Sequence, residues 1–148
     1  MAEADDGTHL KMISGAIIAV KHSNKLLLLR RSHCRIRQNQ KGKERVMWEF
    51  PTGKFNAAAN GSMDDTALRE LKEETGLTAK RIKYLGSFIR REGEKILIGY
   101  AYAATAYTDK IKLSEEHTSY MWATKEEILR MQSVSIDTLT VLKQFKDI

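Results

Sequence analysis

Cysteine is nearly absent from this sequence. Cys34 is the only one, which excludes an intramolecular disulfide and a cysteine-based zinc site and suits a reducing, cytoplasmic setting. There is a single proline and no low-complexity tract or internal repeat. No apolar run approaches the roughly 20 residues that a membrane span needs. The N-terminal "MAEADDGTHLKM" lacks the basic-then-apolar pattern of a secretory signal. What remains is ordinary for a globular protein: 148 residues, 42% hydrophobic and 30% charged. That length predicts one domain over 11–148, preceded by a polar, disordered 1–10.

The charge is not evenly spread. The net charge is +6, and from Arg30 to Arg45 seven basic residues face only Glu44, so this segment carries a surplus equal to the whole chain's. Such a bias favours anionic partners: nucleotides, nucleic acid or a membrane surface. Its ordinary counterpart is a solvated loop.

Periodicity predicts an α/β (α+β type) fold. "MISGAIIAV" (12–20) and "KLLLLRR" (25–31) read as strands buried on both faces, joined by a turn at His22-Ser23-Asn24. "VMWEFPTGKF" (46–55) reads as a short strand ending in a turn. "RIKYLGSFIRR" (81–91) and "KILIGYAYAATAY" (95–107) read as a hairpin, "SYMWA" (119–123) as a short strand, and 124–132 and 135–146 as helices. A further helix starts at Ser62, with Asp65 completing a capping box, and stops at Gly76. Interleaved strands and helices with a central hairpin predict an α/β/α sandwich around a mixed sheet.

That helix contains "RELKEETGL" (69–77), which crowds Glu70, Glu73 and Glu74 within five residues. At about 100° per residue, Ala67, Leu68, Leu71 and Thr75 form the core-facing stripe. The three acids form a ridge beside it. Like charges at this spacing repel by a few tenths of a kcal/mol. Either water screens them, as on most helix faces, or a cation sits among them. A hard divalent cation suits a carboxylate ridge with open positions for phosphates.

"GKFNAAANGSMDDTALRELKEETGL" resembles the signature of the Nudix hydrolases, G-x5-E-x7-R-E-U-x-E-E-x-G-U, where U is apolar. Gly53 matches its opening glycine, and Arg69, Glu70, Leu71, Glu73, Glu74, Gly76 and Leu77 match its second half without a gap. The signature's first glutamate is Gly61 here, and seven residues rather than five precede that position. Asp64 and Asp65 are the nearest spare acids, with neutralising the helix N-terminus as their ordinary role.

The resemblance implies the Nudix fold and a Mg²⁺- or Mn²⁺-dependent hydrolase. Such an enzyme cleaves a diphosphate bond in a nucleoside diphosphate joined to another group. ADP-ribose-like compounds, nucleoside triphosphates, dinucleoside polyphosphates and capped RNA all stay open as substrates. It implies Glu70, Glu73 and Glu74 as metal ligands, with Glu70 alternatively a base, and Arg69 orienting the carboxylates. Glu116, with Glu115 behind it, is the candidate base or ligand on the later loop. Arg30, Arg35, Arg37, Lys54 and Phe55 are candidate substrate contacts. Trp48, Phe50, Tyr120 and Trp122 are further aromatics for a base-stacking wall or, more simply, core. The alternative is a Nudix-fold module that binds a nucleotide or RNA without turnover, which Gly61 favours. Monomer and homodimer are both compatible, and no membrane partner is expected.

Overall fold

The computed structural model describes residues 10–31, 47–55 and 61–148. Residues 1–9 of the expected disordered 1–10 and residues 32–45 of the basic 30–45 segment therefore lie outside the described residues. Strands β1 (Lys11–His22) and β2 (Lys25–Arg31) form a hairpin. Its two-residue turn places Ser23 and Asn24 at φ of 47° and 65°. Two left-handed residues in succession match the twist of the flanking strands, and asparagine tolerates that region well.

The hairpin soon opens. β1 and β2 pair only at Lys21–Leu26 and His22–Lys25, next to the turn. Beyond that, β3 (Trp48–Glu49) pairs with β2, and β4 (Thr52–Lys54) pairs with β1. The single strand expected over 46–55 is thus two strands. Phe50-Pro51 separates them, and Pro51 has no N–H to offer a ladder. Its carbonyl instead accepts from Ile18 N at 2.9 Å. This short stretch forms a wedge in the fork between β1 and β2.

β5 (Ala79–Glu92) and β6 (Lys95–Ala106) form the expected long hairpin, and β6 runs parallel to β1. β7 (His117–Ala123) covers the outer edge of β2. It begins two residues earlier than expected because His117 pairs with Arg31. The sheet is therefore mixed.

Alternate residues of β1 and β2 feed two cores. Ala16, Ile18, Val20, Leu27 and Leu29 pack with Ala67 and Leu71 of α1 (Met63–Thr75). Ile17, Ala19, Leu26 and Leu28 pack on the other face with Ile128 of α2 (Lys125–Arg130) and Val141 and Leu142 of α3 (Ile136–Gln144). This is the predicted α/β/α sandwich, with strands buried on both faces. α2 and α3 are shorter than expected because Met131 and Phe145 adopt extended backbone.

α1 has the caps that its sequence signals. Ser62 accepts from Asp65 N, the Asp65 side chain accepts from Ser62 N, and Gly76 turns left-handed at φ 74°. The buried stripe differs from the expected one: Leu68 is only half-buried, whereas Glu74 is buried with Leu71 and Thr75. Leu71→Ala should cost about 2–5 kcal/mol, and Leu68→Ala less. Urea denaturation of the two variants checks this ordering.

Candidate functional site

The wedge sets the site. Gly53 of β4 lies directly under α1, and a Cβ built there would overlap Glu70 Cγ. Only a residue without a side chain lets Glu70 lie across the strand. One strand earlier, Glu49 of β3 points to the same face, since its partner Leu29 belongs to the α1-side core. Arg31 Nε donates to Glu49 Oε1 at 2.6 Å. His117 Nε2 lies 3.6 Å from the same oxygen. The chain before β7 closes the far side: Lys112 N donates to Thr75 O and Ser114 N to Glu74 O.

Glu74 is thereby sealed in. Burial, then the negative charges of Glu116, Glu49 and Glu70, push its pKa from 4.5 to about 8, and Arg31 offsets only some of this. Glu70 is raised too, by burial and then by Glu73, with Arg69 opposing. Burial alone would lower the Arg31 pKa, but its bond to Glu49 and the charges of Glu74 and Glu116 raise it overall. Glu74 Oε2, Ser114 Oγ and His117 Nδ1 are buried with no hydrogen-bond partner among the described residues. Buried polar atoms are nearly always satisfied, so three such orphans in one neighbourhood mark a place where another group belongs.

The fold brings Glu70, Glu74 and Glu116 of the expected set together, and adds Glu49, Arg31 and His117. Glu73 is exposed beside them, 3.9 Å from Arg69 in an i,i+4 pair. Leu71 and Leu77 are core, and Gly76 is the helix stop. Among the described residues, no three His, Cys, Asp or Glu side chains stand at ready-made metal-binding spacing.

Two expected substrate contacts are misplaced. Arg30 pairs with Trp48, which packs in the α2/α3-side core, so strand alternation turns it away from the acids. Lys54 is placed likewise, one residue beyond Gly53. Arg31 takes the position facing the carboxylates. Arg35 and Arg37 lie outside the described residues.

Gly61 stands at φ 127°. A glutamate in this backbone conformation would be strained. Neither spare acid replaces it: Asp65 closes the capping box, and Asp64 accepts from the Tyr102 hydroxyl.

Phe55 packs edge-on to Tyr100, with ring centroids 5.4 Å apart. Tyr84 continues this wall, 6.4 Å from Tyr100 and 5.5 Å from Tyr102. Of the other aromatics, Phe50 is fully buried, Trp48 packs in the α2/α3-side core, and Trp122 donates to Asp109 O at 2.9 Å. Tyr120 is exposed. Tyr100 and Tyr102 carried a signal in the alternating "GYAYA" of β6, which only strand pairing with Tyr84 of β5 turns into a surface.

A family model described as "NUDIX domain" matches residues 11–143. The chain is 31% identical over 120 residues to ADP-ribose pyrophosphatase of Bacillus subtilis (strain 168), covering 78% of this chain and 60% of that protein. It is 32% identical over 90 residues to asymmetrical bis(5'-nucleosyl)-tetraphosphatase of Mus musculus, covering 57% and 60%. It thus spans about 60% of the length of these curated relatives. The structure of a MutT protein from Methanosarcina mazei Go1 superposes with a TM-score of 0.74 at 27% identity, over 93% of this chain and 94% of that one. No helix among the described residues is long and apolar enough to cross a membrane.

The raised Glu74 pKa sets a pH dependence. Without metal, the folded state keeps a proton that the unfolded chain releases between pH 4.5 and about 8. Stability is therefore full below that window and falls as pH rises through it. The cost is on the order of a few kcal/mol. Urea midpoints at both ends of the window, in chelator, should show this slope in the wild type and a flatter one in Glu74→Gln. Equal slopes would refute it.

Proposed function

The chain belongs to the NUDIX domain family, and from that premise we propose a divalent-metal-dependent hydrolase. It cleaves a diphosphate linkage in a nucleoside diphosphate joined to another group. The observation that carries this reading is the buried, unpartnered Glu74 carboxyl among Glu49, Glu70 and Glu116. Negative charge gathered around a buried carboxyl is relieved by a cation. Oxygen donors at partial exposure suit Mg²⁺ or Mn²⁺, which hold few protein ligands and keep water or phosphate oxygens.

Glu70, Glu73 and Glu74 would hold the ion, after side-chain rotation of the half-buried Glu70 and exposed Glu73. When bound, it supplies charge neutralisation on phosphate oxygens and a more acidic water. Arg69 steers Glu73 by its ion pair. Glu116 faces the same cluster from the opposite wall and is the proposed base for the attacking water. Arg31 holds Glu49 and offers its remaining N–H groups toward the acids, where a phosphate would lie. Phe55, Tyr100 and Tyr84, on the same sheet face, offer a flat surface for the base. The relatives named for ADP-ribose and bis(5'-nucleosyl) tetraphosphate share one feature, a nucleoside on a phosphate chain. That feature is the proposed substrate class here.

A second reading is a nucleotide-binding module without turnover, favoured by Gly61 standing where the family signature has a glutamate. A panel of ADP-ribose, dinucleoside tetraphosphate, nucleoside triphosphates and capped RNA, with Mg²⁺ and Mn²⁺, separates the two. Hydrolysis of a member supports the first; binding without products supports the second.

Glu70→Gln, Glu73→Gln and Glu74→Gln should each lower kcat by about 10²-fold or more, the scale of a lost ligand or base. Circular dichroism should show all three folded. Near-normal turnover in Glu73→Gln and Glu74→Gln would refute the assignment. On the aromatic wall, Phe55→Ala and Tyr100→Ala should raise KM about tenfold, or roughly 1.4 kcal/mol, with kcat little changed. Tyr100→Phe should behave as wild type if ring stacking is what matters.

A further inference from the structure

A cavity of about 240 Å³ lies on the sheet face opposite the carboxylates, between β1, β5, β6 and the chain after α3. Two cross-strand rows build it. Lys21, Thr105 and Arg81 stand side by side on β1, β6 and β5, and Ala19, Ala103 and Lys83 form the next row. All six face the α2/α3 side, as Ala19 does in its core. The small residues leave a hollow floor, and the three cations rise at its edges.

The chain after α3 forms the remaining wall. Phe145 is seated on Gly86, where a Cβ would fall 2.7 Å from its ring. Gln144 Nε2 donates to Ser87 O at 3.4 Å. This brings Asp147 to 3.7 Å from Lys83 Nζ. Both side chains are more than two-thirds exposed, so the pair contributes little. Lys21 and Arg81 have no ion pair among the described residues. Asp147 thus pairs weakly with one of three cations around a concave floor with a hydroxyl, with Ile148 also on the wall and Glu126 in the adjoining hollow beside Lys21.

We propose that this cavity binds a small phosphate-type oxyanion, with Arg81 and Lys21 as its main contacts, Thr105 as a hydroxyl donor, and Asp147 occupying Lys83 when it is empty. The guanidinium fork suits two oxygens of one phosphate. The volume falls below the ~300–1,000 Å³ usual for drug-sized ligands, which favours orthophosphate or diphosphate over a whole nucleotide. The site is separate from the acidic cluster and does not depend on the hydrolase reading.

Inorganic diphosphate is the probe, titrated into protein freed of divalent metal, so that the acidic face repels it. Backbone amide NMR signals of Arg81, Ala103 and Thr105 should shift and saturate. The double variant Lys21→Ala/Arg81→Ala should weaken binding about tenfold or more. Asp147→Asn should tighten it, and Glu74→Gln should leave it unchanged. No saturable shift at these amides, or equal affinity in the double variant, would overturn the proposal. So would binding of a short single-stranded oligonucleotide at this face when diphosphate does not bind, which would make it a nucleic-acid surface.

Discussion

The fork between β1 and β2 is the constraint on which the site depends. A hairpin that stayed zipped would leave no room for Glu49-Phe50-Pro51-Thr52-Gly53. Because the strands separate only two residue pairs from the turn, that stretch can hydrogen-bond to both. The α2–α3 connection and the first turn of α3 hold it from behind: Trp48 N donates to Ser133 O, Ser135 N to Trp48 O, and Phe50 N to Thr138 Oγ1. Phe50 fills the α2/α3-side core completely. With the wedge fixed there, Glu49 and Gly53 emerge on the other face, and Gly53 sets how closely α1 can approach.

Close approach has an electrostatic cost. Arg31 and its bond to Glu49 compensate some of the negative charge gathered under α1, but offset Glu74 only in part. A buried carboxyl whose pKa rises to about 8 is destabilising whenever it must ionise. Strongly perturbed groups of this kind cluster at functional sites. Arg90 shows the structural alternative. It donates to Asp137 and Glu92 at 2.6–3.1 Å and ties β5 to α3, so both acids there have a cationic partner. There each acid is hydrogen-bonded to a cation, whereas Glu74 Oε2 has no hydrogen-bond partner among the described residues.

The helix that carries the acids was legible in the sequence because its signals are local: Ser62, Asp65 and Gly76 act within one turn of their own positions. The two-faced burial of β1 and β2 was legible in their continuous apolar runs. Glu49, Arg31 and His117 were not, because β2–β3 and β2–β7 pairing joins residues far apart in the chain. Glu74 reads as one more acid on a solvated ridge for a similar reason. Its cover is the 111–114 segment, whose backbone bonds to the end of α1 and whose polar neighbours read as open loop. Arg30 and Arg31 differ only in strand parity, and parity has no meaning until the register is known.

Parity governs both faces of the β1–β6 ladder. Toward α1 it presents Ala16, Ile18 and Val20 with Tyr100, Tyr102 and Ala104; away from α1 it presents Ala19 and Lys21 with Ala103 and Thr105. The aromatic wall and the basic hollow are thus alternate residues of the same strands. β5 must match this pattern over 14 residues, and it does so through a bulge. Tyr84 opposes Tyr102, yet Gly86 already opposes Ala101, so Leu85 is the extra residue. Without it, Tyr84 and Ser87 could not both face α1, since three residues apart they would alternate to opposite sides. Gly86 adopts φ 151° there, a region that other residues rarely enter, and Phe145 fills the space a side chain would need. The same glycine therefore aligns Tyr84 with the aromatic wall and seats the segment that closes the basic cavity, coupling the two faces through one backbone position.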